Sequence, residues 1–207
     1  MKFAVNHQSA LHDILSWRRD VRHFRTDPID SAVLSKIEAS VDLAPSVGNS
    51  RPWRFVRVAS ELARAKVIAS FEASNAQASE DFEDEAKNAY LALKLSGMRE
   101  APVHLAVYTA RDPKAGRGLG RKTMPQMLQY STVTAIYTLW LTARAHNVGV
   151  GWVSILDPAE VDAALGVPDD WMLSAYLCLG YPAFDSETPE LVETGWQESE
   201  PTVWLDC

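Results

Sequence analysis

The chain has 207 residues, of which 47% are hydrophobic, so it can bury one substantial core. It is short for two domains, and we expect a single domain over residues 1–207. Its 27 acidic residues outnumber its 20 Lys and Arg, and the net charge of -7 argues against nucleic acid or a membrane surface as the partner. The N-terminus does not resemble a signal peptide and no apolar run is long enough to span a membrane, so we expect a cytoplasmic protein.

The two cysteines, Cys178 and Cys207, lie in different contexts and show no metal-ligand spacing. We therefore expect neither a disulfide framework nor a metal site, and we expect no thiol chemistry.

The first predicted helix covers Ala10–Trp17, where Leu11, Ile14 and Leu15 recur at helical spacing. It leads into residues 17–25, which hold four arginines and one aspartate in an acidic chain; we call residues 17–25 the arginine segment. Such a cluster is typical of a solvated, salt-bridged helix end, but it also suits a site for an anionic ligand.

A turn at Asp27-Pro28 precedes a second predicted helix with apolar residues from Val33 to Val41. Residues 44–53 are short and polar, with a proline near each end, and run directly into residues 54–58, which alternate like a strand. This pattern predicts a rigid loop feeding a sheet.

The next stretch predicts a helix over Glu61–Phe71, a polar and acidic segment over residues 72–87, and renewed helical character over Ala89–Leu95. A loosely anchored polar segment is typical of a lid, so residues 72–98 form a possible lid. A solvated surface helix explains the same pattern.

The second half of the chain predicts strands at Val103–Tyr108, Val150–Ile155 and Met172–Leu179 and a short helix at Val161–Leu165. Between the first two strands, the glycine-rich turn at residues 111–120 lacks a phosphate-loop pattern, and the long apolar segment Met127–Ala145 predicts a central buried helix. Residues 183–207 are rich in Pro and Glu without a period, which fits either an arm around a partner or a frayed tail.

Four motifs in order resemble the flavin-dependent nitroreductase superfamily: Arg-Arg-Asp-Val-Arg at 18–22, Ala-Pro-Ser-Val-Gly at 44–48, Arg-Pro-Trp-Arg-Phe at 51–55 and Gly-Trp-Val-Ser-Ile at 151–155. The segments at residues 99–106, 118–125 and 177–182 narrow the resemblance to the BluB subfamily, the 5,6-dimethylbenzimidazole synthases. The resemblance covers about residues 10 to 197.

The resemblance implies an α+β nitroreductase-like fold, with a mixed or antiparallel central sheet flanked by helices and an extended C-terminal arm. It also implies a homodimer with FMN at the subunit interface. Enzymes of this subfamily consume reduced FMN with O2, giving 5,6-dimethylbenzimidazole, the lower ligand of cobalamin, and erythrose 4-phosphate. FMN is then a substrate, and a separate flavin reductase is expected to supply it in reduced form.

The resemblance also assigns roles to residues of this chain. Arg18, Arg19 and Arg22 match arginines that hold the FMN phosphate and the polar edge of the flavin, a task suited to guanidinium groups. Asp20 matches an acidic residue distinctive of the subfamily and is predicted to act as the acid/base group. Ser154 is the second predicted catalytic residue, with a hydrogen bond near the reactive face of the flavin ring. The remaining residues predicted to line FMN are Val21, Pro45, Ser46, Gly48 and Gly151.

Two positions depart from the pattern. Arg51 stands where many relatives have Gln, and Glu198 stands where relatives tend to have a basic residue. A phosphate contact at residues 195–200 is therefore in doubt, and Arg51 or Arg121 is a candidate to replace it. Two other functions stay open: an NAD(P)H-dependent FMN nitroreductase or flavin reductase, and an FMN store without catalysis.

Overall fold

The computed structural model describes residues 1–207. Its centre is a four-stranded sheet of β1 (Trp53–Arg57), β2 (Val103–Ala110), β3 (Gly149–Val153) and β4 (Trp171–Gly180), in the order β1-β2-β4-β3. All three strand pairings are antiparallel, so of the two expected sheet types the antiparallel one is present. The strands are not arranged in simple chain order, because β2 pairs with β4 and β3 lies at the edge of the sheet.

Seven helices surround this sheet: α1 (Val5–Trp17), α2 (Ser31–Ala39), α3 (Glu61–Ala78), α4 (Asp84–Ala92), α5 (Met127–Ala145), α6 (Pro158–Leu165) and α7 (Glu190–Glu193). Local chemistry fixes several helix ends. Asp30 accepts hydrogen bonds from the first free N–H groups of α2, and Asp157 does the same for α6, which ends at Gly166 with φ of 63°.

Two apolar clusters lie on the two faces of the sheet. One joins α5 and α2 to the sheet through Ile136, Leu139, Ile37 and Leu177, all of them at most 1% exposed. The other joins α3 and α6 to the opposite face through Val67, Val161 and Tyr108. The sheet is thus covered on both sides, and α5 contributes eight buried residues, as expected for a central helix.

The predicted strands and helices are present, with ends shifted by a few residues. The largest difference concerns the acidic stretch after Phe71, because α3 continues to Ala78 before a short 3-10 turn at Ser79–Asp81 and then α4. The polar residues after Phe71 lack the regular apolar spacing from which a helix is predicted. The predicted helix therefore ended before the observed one.

The first part of the C-terminal region packs against earlier residues of the same chain. Ala183 N–H donates to the His23 carbonyl, and the region continues through α7 to Trp196. Residues 198–207 form no helix or strand and are exposed. No helix combines the length and apolar character required to cross a bilayer.

Candidate active site

The arginine segment lies along the free edge of β3. Val21 N–H donates a 3.0 Å hydrogen bond to the Val150 carbonyl, and Asp20 forms a parallel bridge with Val150. A Cβ on Gly151 would lie 2.2 Å from the Val21 carbonyl oxygen, so only glycine at 151 permits this approach. The predicted residues 20, 21 and 151 are therefore neighbours.

The Asp20 carboxylate is held from two sides. Its Oδ1 accepts a 2.8 Å hydrogen bond from Trp152 N–H, and its Oδ2 accepts from Arg22 Nη2 at 3.1 Å and Nε at 3.3 Å. Burial raises the pKa of Asp20 above its ordinary value, while Trp152 N–H and the Arg22 guanidinium act against that rise. About a third of the side chain stays accessible, so a ligand can reach a carboxylate whose proton affinity is increased.

The arginines have unequal surroundings. Arg22, Arg25 and Arg144 each pair with a carboxylate. The Arg18 guanidinium instead lies over the rings of Trp140 and Tyr137, at 5.1 and 6.0 Å from their centroids, and its Nε is buried without a hydrogen-bond partner. Arg18 is thus a cation with donors to spare beside two aromatic rings.

Arg19 points toward the C-terminal region. Its guanidinium donates to the carbonyls of Arg18, at 2.6 Å, and of Glu187, and its Nε is also buried without a partner. Burial and the neighbouring charge of Arg18 lower the pKa of Arg19 from its ordinary value. Trp140 Nε1 donates to the Arg19 carbonyl at 3.2 Å and so fixes this part of the segment to α5.

Ser154 lies just beyond β3, two residues after the Trp152 that holds Asp20. It borders a cavity of about 130 Å³ between the ends of β3 and β4. The contact of Asp20 is with Trp152, and Ser154 lies two residues further along the chain, at this separate cavity.

The loop with Pro45, Ser46 and Gly48 lies at the other end of α5. Thr134 Oγ1 donates to the Pro45 carbonyl at 2.9 Å, and Ser46 Oγ accepts from Arg51 N–H at 3.0 Å. Gly48, with φ of 55°, packs against the glycine-rich turn, where a Cβ would lie 3.1 Å from the Gly116 and Leu119 carbonyls. Within one chain this loop does not join the groups around Asp20.

The two arginines considered as replacement phosphate contacts are both engaged. Arg51 pairs with Asp42 at 3.2 Å, and Arg121 pairs with Asp112 at 2.6 Å. A phosphate would have to compete with these carboxylates.

Three residues of the C-terminal region that contact the site or the possible lid were not predicted, namely Asp185, Glu190 and Trp196. His23 Nε2 lies 3.2 Å from Glu190 Oε1, and Arg144 donates to Asp185 at 2.8 Å, so the C-terminal region closes over the arginine segment. Trp196 meets the rings of Phe82 and Tyr90 at 5.6 and 6.1 Å between centroids. Single ionic and aromatic residues in a region without period carried no sequence signal.

The sequence shows the protein family to which the chain belongs. Residues 15–181 match the model of the nitroreductase family, and the chain belongs to that family. Solved structures with the same fold include an iodotyrosine deiodinase bound to FMN and 3-iodo-L-tyrosine, with a TM-score of 0.75 and 21% identity over 95% of this chain and 99% of that one. A nitroreductase with bound FMN from Desulfitobacterium hafniense has a TM-score of 0.67 and 16% identity, over 95% and 98% of the two chains.

Within the family, two curated relatives that are similar to the chain are both named 5,6-dimethylbenzimidazole synthase. The protein from Rhodobacter capsulatus is 54% identical over 99% of both chains. The protein from Rhodospirillum rubrum is 50% identical over 96% of this chain and 94% of its own. A putative NAD(P)H nitroreductase from Bacillus subtilis is 28% identical over 90% of each chain.

Proposed function

We propose that this protein is a 5,6-dimethylbenzimidazole synthase, an enzyme that fragments reduced FMN with O2 to 5,6-dimethylbenzimidazole and erythrose 4-phosphate. The observation that carries the proposal is the 54% identity to a synthase over 99% of both chains. The nitroreductase alternative has weaker support, because the relative with that name is only 28% identical.

The residues of the chain fit FMN. Arg18 has unused donors beside aromatic rings, which suits a phosphate or another anionic group. Arg19 adds positive charge and hydrogen-bond donors to the same segment. When bound, FMN supplies the redox chemistry, and the protein orients it and controls protons and water around it.

Asp20 is the proposed acid/base residue. Its raised pKa brings proton exchange closer to neutral pH, and its two hydrogen-bonding neighbours fix the direction of the carboxylate. Ser154 provides a hydroxyl beyond the end of the same strand, beside the cavity between β3 and β4. We assign it a hydrogen bond to the flavin ring.

The complete site is proposed to form between two copies of the chain. The outward face of α5 carries Tyr130, Val133 and Tyr137, each at least 40% exposed, and α1 beside it has no buried residue. Exposed apolar faces of this kind mark interfaces, and a two-fold interface uses the same surface on both copies. Pairing there brings the Pro45–Gly48 loop of one copy toward Arg18 of the other, because both flank this face.

The C-terminal residues fit the same assembly. Val203, Trp204 and Leu205 are at least 80% exposed, which is unfavourable in water and suits an arm on a partner. In this proposal a separate flavin reductase supplies reduced FMN, and the reaction takes place in the cytoplasm.

The test is aerobic incubation of the protein with an excess of chemically reduced FMN, followed by chromatography for 5,6-dimethylbenzimidazole. The expected result is product formation with matching loss of FMN, and none without oxygen. A parallel incubation with NADH, catalytic FMN and a nitroaromatic compound tests the alternative. Rapid NADH oxidation with intact FMN and no benzimidazole would contradict the synthase assignment.

A further inference from the structure

The cavity beside Ser154 contains a second serine, Ser174, on β4. Ser174 occupies an irregular position in the sheet: Val107 pairs with Ala175 and Tyr108 pairs with Leu173, so Ser174 is the extra residue of a bulge. Bulges redirect a side chain out of the regular alternation of a strand. Ser174 is half-buried at this bulge and lines the cavity together with Trp152 and Ser154.

The Ser174 hydroxyl belongs to a short chain of buried hydroxyls. Its Oγ lies 2.7 Å from Thr109 Oγ1, which lies 2.7 Å from Thr132 Oγ1 on α5. The chain ends at two carbonyls: Thr132 Oγ1 lies 3.3 Å from the Leu128 oxygen, and Ser174 Oγ lies 3.4 Å from the Met172 oxygen. Thr109 and Thr132 are fully buried, so their hydroxyls depend on these partners.

The direction in which the three hydroxyl protons point determines whether Ser174 can donate or accept a hydrogen bond toward a ligand. Each of the three hydroxyls has one proton and two lone pairs. Thr109 Oγ1 donates to Thr132 Oγ1, and Thr132 Oγ1 donates to the Leu128 carbonyl, so Ser174 is the donor to Thr109. The proton of Ser174 is then used inside the protein while its lone pairs stay free, so Ser174 can act only as an acceptor toward a ligand.

We infer that Ser174 is a specificity-determining residue that accepts a hydrogen bond from the ring N–H of the flavin. The cavity of about 130 Å³ holds one edge of a ring system rather than a whole flavin. Two serine hydroxyls favour the polar pyrimidine edge over the dimethylbenzene edge, which has no hydrogen-bonding group. Oxidised isoalloxazine has a single N–H, at N3, and this donor matches an acceptor-only hydroxyl.

This inference rests on the proposed binding of FMN, and its test uses binding of oxidised FMN rather than turnover. Affinities of the full-length wild-type protein and Ser174→Ala are measured by flavin fluorescence for FMN and for FMN methylated at N3. The wild-type protein is expected to bind FMN about tenfold more tightly than the methylated form, the effect of one hydrogen bond to a partly buried acceptor. Ser174→Ala is expected to bind FMN about tenfold more weakly and to bind both flavins equally.

The Ser174→Ala protein should fold, because Thr109 can still donate to Thr132. Ser35→Ala, which changes an exposed serine of α2 whose hydroxyl bonds only to Ser31, serves as the control and should match wild type. Equal FMN affinity of wild type and Ser174→Ala would overturn the inference, as would an equal loss for both flavins. Failure of the wild-type protein to bind FMN at all would overturn the proposed function as well.

Discussion

Asp20 and Trp152 are joined by a 2.8 Å hydrogen bond from the Trp152 backbone N–H to Oδ1 of the carboxylate. Because the donor belongs to a strand of the central sheet, the position of Asp20 depends on the sheet and not only on the irregular arginine segment. A group that moves protons gains from such a rigid support, since its distance to the reacting atoms is then fixed.

Asp20→Asn is expected to bind FMN within about threefold of wild type while product formation falls at least about a hundredfold. The amide oxygen can still accept from Trp152 N–H, but the side chain can no longer take up or release a proton. Binding is measured by fluorescence and product by chromatography. Asp27→Asn is the matched control, because Asp27 is exposed and pairs only with Arg25; normal synthesis by Asp20→Asn would refute the assigned role.

Arg18→Ala is expected to weaken FMN binding by about tenfold to a hundredfold, the loss of a charge-assisted contact. Binding of riboflavin, which lacks the phosphate, should change less than about twofold. Arg25→Ala removes a nearby arginine that already has a carboxylate partner and should leave both affinities unchanged. An equal loss for FMN and riboflavin would show that Arg18 does not recognise the phosphate.

Trp196→Ala is expected to loosen the possible lid, because Trp196 is the contact of the C-terminal region with the stacked Phe82 and Tyr90 rings. Removal of this aromatic contact is expected to lower the free energy of local opening by about 1 kcal/mol, which makes amide exchange in α4 roughly fivefold faster. Hydrogen exchange with mass spectrometry measures this change. Trp204→Ala, at a residue 88% exposed, should not alter it; unchanged exchange in Trp196→Ala would refute the coupling.

His104 is expected to make the fold sensitive to acid. Burial lowers the pKa of His104 from 6.5 to about 4, and the side chain is only 1% exposed. As pH falls from about 6.5 to about 4, the unfolded chain takes up this proton and the folded chain does not, so the free energy of unfolding decreases. At about 1.4 kcal/mol per pH unit the decrease reaches about 3 kcal/mol.

Chemical denaturation at fixed protein concentration, at pH 7 and pH 4, measures this contribution. His104→Gln should be less stable at pH 7, because Tyr176 loses its 2.9 Å hydrogen bond to Nδ1. The decrease in its free energy of unfolding between pH 7 and pH 4 should be smaller than that of the wild type by about 3 kcal/mol. His12→Gln, at an exposed residue of α1, should retain the wild-type dependence. The same pH dependence in His104→Gln would exclude His104 as the source.

Much of the fold follows from local patterns. Alternation in residues 54–58 located β1, the apolar stretch of residues 172–179 located β4, and the long apolar segment Met127–Ala145 located α5, because each pattern reflects how the element is buried. The resemblance selected Arg18, Asp20 and Ser154 as a group to examine, and the structure brings Asp20 near the end of β3. Their roles toward FMN remain predictions.

Other features depend on contacts between distant segments and left no local pattern. The bulge at Ser174 arises from the pairing of β2 with β4, which sequence alone does not register. The contact of Trp196 with Phe82 joins two regions that are both polar and without period. The separation of the Pro45–Gly48 loop from Asp20 within one chain depends on two such contacts, that of the loop with Thr134 of α5 and that of Asp20 with Trp152 of β3.

The arginine segment also protects the sheet. β3 is an edge strand, and an uncovered edge offers free N–H and carbonyl groups with which another molecule can form intermolecular β-structure. Val21 satisfies the Val150 carbonyl, and Asp20 satisfies Trp152 N–H, so the residues proposed to anchor the ligand also shield this edge from self-association. Substitutions that displace the segment therefore carry an aggregation risk that is independent of catalysis.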